Sequence, residues 1–332
     1  MNTMSHAEST FLFNASELNQ VTASRVSGKP RVWTTFTVWI AAAIMGNLAV
    51  IASYILVGVG IGFVMGAQGM DATAIETRVQ EVFEQPLIIV LLSLLPFQLG
   101  MGLVALIAAW MSPEPLRQRL GVVPQEGRTF GRVVLTTMAG FTVSTALVIL
   151  IGISILAGEA SVDPISAAIA NGSWWMTTLL SVVLSTVPAV VEEVLFRGYI
   201  QRRLLQRWSP AVSIGLATML FAAVHMDSLQ HMIAVVPLSL VTGLLAYRTN
   251  SIKPGMLIHA VHNAAVVAFG ALMNVLANHM SEERLGLLVI ASIGLMGLLG
   301  LPAIILLLRS RPSRRDLPAG AEFSQSVHVG IG

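Results

Sequence analysis

Two adjacent carboxylates, Glu192 and Glu193, and Arg197 sit inside a hydrophobic run from Trp174 to Leu204. Each charge in the middle of a membrane helix costs about 2.5–3.5 kcal/mol, so three unpaired ones would cost on the order of 8–10 kcal/mol. Glu193 and Arg197 are four residues apart, in the favoured Glu-before-Arg order on one helix face, and can neutralise each other. Glu192 has Phe196 at that spacing and so lacks a partner on its own helix. An ionisable group inside a membrane helix marks a functional site by default. The chemistry a lone carboxylate offers there is proton abstraction from water.

Other costly side chains fall at comparable depth. At 1.5 Å per helical residue, Glu192 lies about 18 Å from the basic end of its segment, His225 about 22 Å, His259 about 9 Å and Asn263 about 15 Å. His259 and Asn263 are four apart and share a helix face. Taken singly, His225 or Asn263 reads as an interhelical hydrogen bond; together, on three helices, the set reads as a site. A histidine near Glu192 could hold the attacking water or protonate a leaving amine, and a second histidine with an Asn amide would donate to a developing oxyanion. The chain has no cysteine, and no serine sits in a nucleophile elbow, so water is the expected nucleophile. The alternative is a metal, zinc above all, with Glu192, His225 and His259 as ligands; no His-Glu-x-x-His motif is present. No other cofactor is implied. His231 and His262 read as facing a loop or water, Trp174-Trp175 as an interfacial anchor, and the methionines as packing.

The elements that must hold these residues are membrane helices. Of 332 residues 55% are hydrophobic and 11% charged, with a mean hydropathy of +0.78; a soluble domain carries about a quarter charged residues. The expected fold is all-α: a polytopic membrane bundle of about eight transmembrane helices. The expected spans are 33–66, 86–111, 133–157, 174–204, 210–225, 229–247, 254–273 and 285–308. The fifth, short at about sixteen residues, could stop part-way across, shielded by protein. A polar tail over 1–30 and a basic tail over 309–332 flank the transmembrane domain at 31–308. Sixteen of the nineteen Lys and Arg fall on one side, all but Arg78, Arg197 and Arg284. The positive-inside rule makes that side, with both termini, cytoplasmic. The dispersed positives do not read as a nucleic-acid surface. The first thirty residues lack the apolar stretch of a removable signal peptide.

Glu192-Glu193-x-x-x-Arg197, Phe221-x-x-x-His225 and His259-x-x-x-Asn263 follow in that order on successive hydrophobic segments. They resemble the signature of the CPBP family, the CAAX prenyl proteases of the Rce1 type and bacteriocin-processing or immunity membrane proteins, also called the ABI family. The resemblance covers about 174–277; Leu120-Gly121 is also similar to the family's upstream loop. It implies an eight-helix intramembrane endopeptidase with a cavity open to cytoplasm and membrane. By that likeness Glu192 activates water beside His225, His259 and Asn263 stabilise the oxyanion, and Glu193 and Arg197 organise the site. The family is commonly labelled metalloprotease, yet its better-understood members resemble glutamate-dependent enzymes without a catalytic metal. His262 departs from the apolar residue or Asn found beside the Asn in many relatives. The implied partners are lipid and a membrane-associated peptide or protein substrate, in the plasma or inner membrane. A second reading is a non-catalytic regulator or immunity protein of the same fold, expected to have lost a Glu or His; none is lost here. A third, a transporter, would favour paired broken half-helices, which the sequence does not show.

Overall fold

In a computed structural model, the structure describes residues 31–112, 114–122, 142, 173–226, 229–277 and 279–309. The tails 1–30 and 310–332, and all of the third expected span at 133–157 except Thr142, lie outside the described residues. Among the described residues every regular element is a helix. The first, α1 (Trp33–Ala67), runs unbroken for 35 residues. At 1.5 Å per residue it is about 52 Å long, well beyond a hydrocarbon core of about 30 Å. The acidic segment that follows forms α2 (Ala72–Phe83), started by Asp71, whose side chain accepts from the Ala74 N–H at 2.8 Å. Then come α3 (Pro86–Trp110), the short α4 (Leu116–Arg119) and α5 (Trp174–Leu205). After these lie α6 (Pro210–Ala222), α7 (Leu229–Thr249), α8 (Lys253–Ala277) and α9 (Glu282–Arg309).

Among the described residues four helices are long and apolar enough to cross a membrane: α1, α3, α5 and α7 from His231 onward. They fall on the first, second, fourth and sixth expected spans, and the chain is an integral membrane protein on that evidence. The seventh and eighth expected spans fall on α8 and α9. The fifth falls on α6, which has 13 residues and is about 20 Å long.

Helix α3 carries the first departure from regular geometry, a π turn at Val90–Leu94. Pro96 follows it. Proline has no N–H, so the Leu92 carbonyl four residues back loses its helical partner. Lipid offers no water to replace it. Ser53 of α1 donates to that carbonyl at 2.6 Å, and the Tyr54 and Ser93 hydroxyls meet at 2.9 Å. Lower on the same pair the backbones nearly touch. A Cβ on Gly100 would lie 2.7 Å from the Met45 carbonyl oxygen, and one on Gly46 would lie 2.7 Å from the Phe97 ring. Small residues let membrane helices approach this closely.

The core is centred on the lower half of α5. Leu195, Phe196, Ile200 and Leu204 are fully buried against Met101 and Ala105 of α3 and Ala217 and Phe221 of α6. The loop after α3 docks on the same segment. Arg119 is buried with its guanidinium 4.8 Å from the centre of the Tyr199 ring, and burial, with Arg203 nearby, lowers its pKa from the ordinary arginine value. Leu120 packs on Gly198, and the Gly121 carbonyl accepts from the Ile252 N–H at 3.1 Å. The basic loop thus ties α5 to the turn between α7 and α8, which places the site residues. Because overpacking costs typically about 1–3 kcal/mol, Gly100→Val is expected to destabilise the purified protein by that amount, read as a lowered thermal unfolding midpoint in detergent.

Candidate active site

A π stretch at Glu193–Gln201 holds the charged residues of α5. Such wide turns break regular side-chain spacing and recur at functional sites. Within it Arg197 Nη1 lies 3.1 Å from Glu193 Oε1, both groups fully buried. The pair is close but not aligned, for Nη1 makes no hydrogen bond. Arg197 is fixed instead by Nη2, which donates to the Ser239 carbonyl of α7 at 3.0 Å, and by the Phe221 ring, 4.7 Å below its guanidinium carbon. Glu193 Oε2 has no hydrogen-bond partner. It lies over Gly255 in the first turn of α8, where a Cβ would come within 2.7 Å of it. The start of a helix carries partial positive charge, so this carboxylate faces the favourable end of α8, and only glycine leaves room for it.

His259 of α8 joins the two glutamates. Its Nδ1 is 3.3 Å from Glu193 Oε1 and its Nε2 3.6 Å from Glu192 Oε2. The second distance is too long for a direct hydrogen bond. Glu192 also has a partner that its own helix could not supply. Gln98 of α3 donates from Nε2 to Glu192 Oε1 at 2.8 Å, with both side chains buried.

His225 lies just past the end of α6. Its Nδ1 is 2.9 Å from the Phe221 carbonyl. A carbonyl only accepts, so Nδ1 carries the hydrogen. Phe221 is the hub of the motif. It packs edge-on to Phe196 at 5.0 Å, lies 4.8 Å from the His225 ring and 6.0 Å from the His259 ring, and carries Arg197 on its face. His231 stands edge-on to His225 at 4.8 Å. His262 is buried. Asn263 Nδ2 donates to the Leu184 carbonyl of α5 at 3.4 Å. Pro188, inside α5, deprives that same carbonyl of its helical partner. Asn263 thus closes a gap in α5 about two turns before Glu192 and keeps one amide hydrogen for other use.

Of the residues read from the sequence, the structure brings Glu192, Glu193, Arg197 and His259 into one contact set and joins His225 to it through Phe221. It seats Asn263 against α5. Sequence reasoning missed Gln98, Gly255 and the Ser239 carbonyl. Gln98 left a signal, a lone amide in the apolar run Leu95–Trp110. The other two act through backbone or the absence of a side chain and leave none. A zinc ion would need three donors converging at about 2.0–2.2 Å. Among the described residues no group of three or more His, Asp or Glu is so arranged, and each His259 nitrogen is turned to a different carboxylate. The described residues do not fit a resident zinc.

These residues fall in a segment, 173–265, that matches the family described as type II CAAX prenyl endopeptidase Rce1-like. No curated protein and no solved structure matches the chain. The match begins beside Trp174 and ends just beyond Asn263, so it takes in every candidate residue read from the sequence and leaves out Gln98.

Removing one partner of a buried ion pair leaves an uncompensated charge at a cost of about 3–5 kcal/mol. Arg197→Met is expected to lower the unfolding free energy by that amount. The double variant Glu193→Gln with Arg197→Met should recover most of it, as measured by denaturant unfolding in detergent micelles.

Proposed function

We propose that the protein is a membrane-embedded endopeptidase that hydrolyses a membrane-associated peptide or protein, with its site toward the basic, cytoplasmic side. The observation that carries this reading is the pair of buried carboxylates sharing His259 within an apolar bundle, inside the Rce1-like segment. Glu192 takes a proton from water, and the water oxygen attacks the scissile carbonyl carbon. The C–N bond then breaks, and the proton held by Glu192 passes to the departing nitrogen, giving a carboxylic acid and an amine.

His225 serves as acceptor for the second water hydrogen through Nε2, its Nδ1–H being committed to the Phe221 carbonyl. His259 and the free amide hydrogen of Asn263 face the charge that develops on the carbonyl oxygen; one such donor is worth about 10²–10³-fold in rate. Glu193 and Arg197 hold His259 and the π stretch in place. The basic side is assigned to the cytoplasm on the positive-inside rule.

The test is a comparison of membrane and released peptides in cells lacking the protein, complemented with wild type, Glu192→Gln or His225→Ala. Products that appear with wild type and vanish with both variants are expected. Cleavage fully retained by both variants would end this reading.

A further inference from the structure

We infer that Gln98, which lies outside the Rce1-like segment, is a positioning residue that decides which of the two glutamates acts as base. Four observations lead there. Its Nε2 donates to Glu192 Oε1 at 2.8 Å, and both side chains are almost fully buried. Its own Oε1 is buried without a hydrogen-bond partner, an arrangement that packing alone does not reward, since an apolar side chain of the same size would leave no orphan. Glu192 stands next to Glu193 in sequence, close to Arg197 and His259, so nothing on α5 itself stops both carboxylates from turning to the same cation. Finally, the helix that carries Gln98 is brought to α1 by the Gly46–Gly100 approach and has its loose carbonyl at Leu92 tied off by Ser53. Its position is therefore anchored on α1 as well as on α5.

The amide pulls Glu192 away from Arg197 and occupies one carboxylate oxygen. Oε2 is left to the side of His259, where a proton can be received. Glu193 keeps Arg197 to itself. Gln98 thus acts through Glu192 and touches no reacting atom.

The inference rests on the peptidase reading for its kinetic test but not for its chemical one. The full-length protein, in lipid nanodiscs, is treated with a hydrophobic carbodiimide, and labelling at Glu192 and Glu193 is read separately by mass spectrometry. Gln98→Met, similar in volume and without a donor, is expected to raise labelling at Glu192 several-fold and to leave Glu193 unchanged, because a carboxyl released from its donor reacts more readily. Gln98→Glu keeps the shape but donates only while a proton is shared between the two carboxyl groups. Its cleavage rate relative to wild type should therefore fall as pH rises.

On a lipid-anchored fluorogenic peptide library, Gln98→Met is expected to lower kcat about 10–100-fold, as loss of an outer-shell partner typically does, with KM and the unfolding midpoint little changed. Glu192 labelling unchanged in folded Gln98→Met overturns the inference. So does a fall in kcat that comes with equal changes in KM and unfolding midpoint. If Gln98→Met does not fold, the pH dependence of Glu192 labelling in Gln98→Glu decides, and a flat ratio to wild type overturns it. Failure of the peptidase reading looks different: wild type and Glu192→Gln cleave nothing, while the labelling contrast still reports on Gln98.

Discussion

The buried ion pair between Glu193 and Arg197 is the constraint on which the rest of the site depends. Two full charges at the centre of an apolar bundle are tolerable only if each is held by more than the other. Here Arg197 leans on the Ser239 carbonyl and the Phe221 ring, and Glu193 on His259 and the first turn of α8. Those supports belong to α6, α7 and α8. Satisfying one ion pair therefore draws three more helices onto α5, and the same contacts set out Glu192, His225 and His259 as a group.

A second rule runs through the bundle: lipid hydrates no backbone, so every interrupted helix must be repaired by a neighbour. Pro96 releases the Leu92 carbonyl, and Ser53 takes it; Pro188 releases the Leu184 carbonyl, and Asn263 takes it. Where α6 ends, the Leu220 carbonyl accepts from the Trp39 indole at 2.9 Å and the Phe221 carbonyl from His225. The Gly243 carbonyl of α7 accepts from Gln201 at 2.8 Å. The contacts made by Ser53, Asn263, Trp39 and Gln201 cross between helices and fix their relative height. Asn263 closes its gap from α8, tying that helix to α5.

The Rce1-like segment does not complete this arrangement alone. Gln98 reaches Glu192 from α3, and the loop bearing Arg119, Leu120 and Gly121 braces the π stretch from outside the match. The part of the chain outside the match supplies the wall against which the matched part is set.

Composition alone determined that this is a helical membrane protein, because an apolar excess of this size has no other stable place. The spacing of Glu193 and Arg197 determined their pairing, since it depends only on neighbours one turn apart, and it holds even across a π stretch that no periodicity announced. The ordered Glu-Glu-Arg, Phe-His and His-Asn motifs marked the segment. What only the tertiary structure decided is where Glu192 finds its partner. The sequence left Glu192 without a partner, and its partner is an amide 94 residues earlier. Asn263 read as an open donor, yet its amide is turned to the Leu184 carbonyl that Pro188 set free. In each case the deciding contact joins groups far apart in the chain, and one of them is often a backbone atom or a missing Cβ. Residue types along a strand of text carry no record of such contacts; only the packed helices bring them within hydrogen-bonding distance.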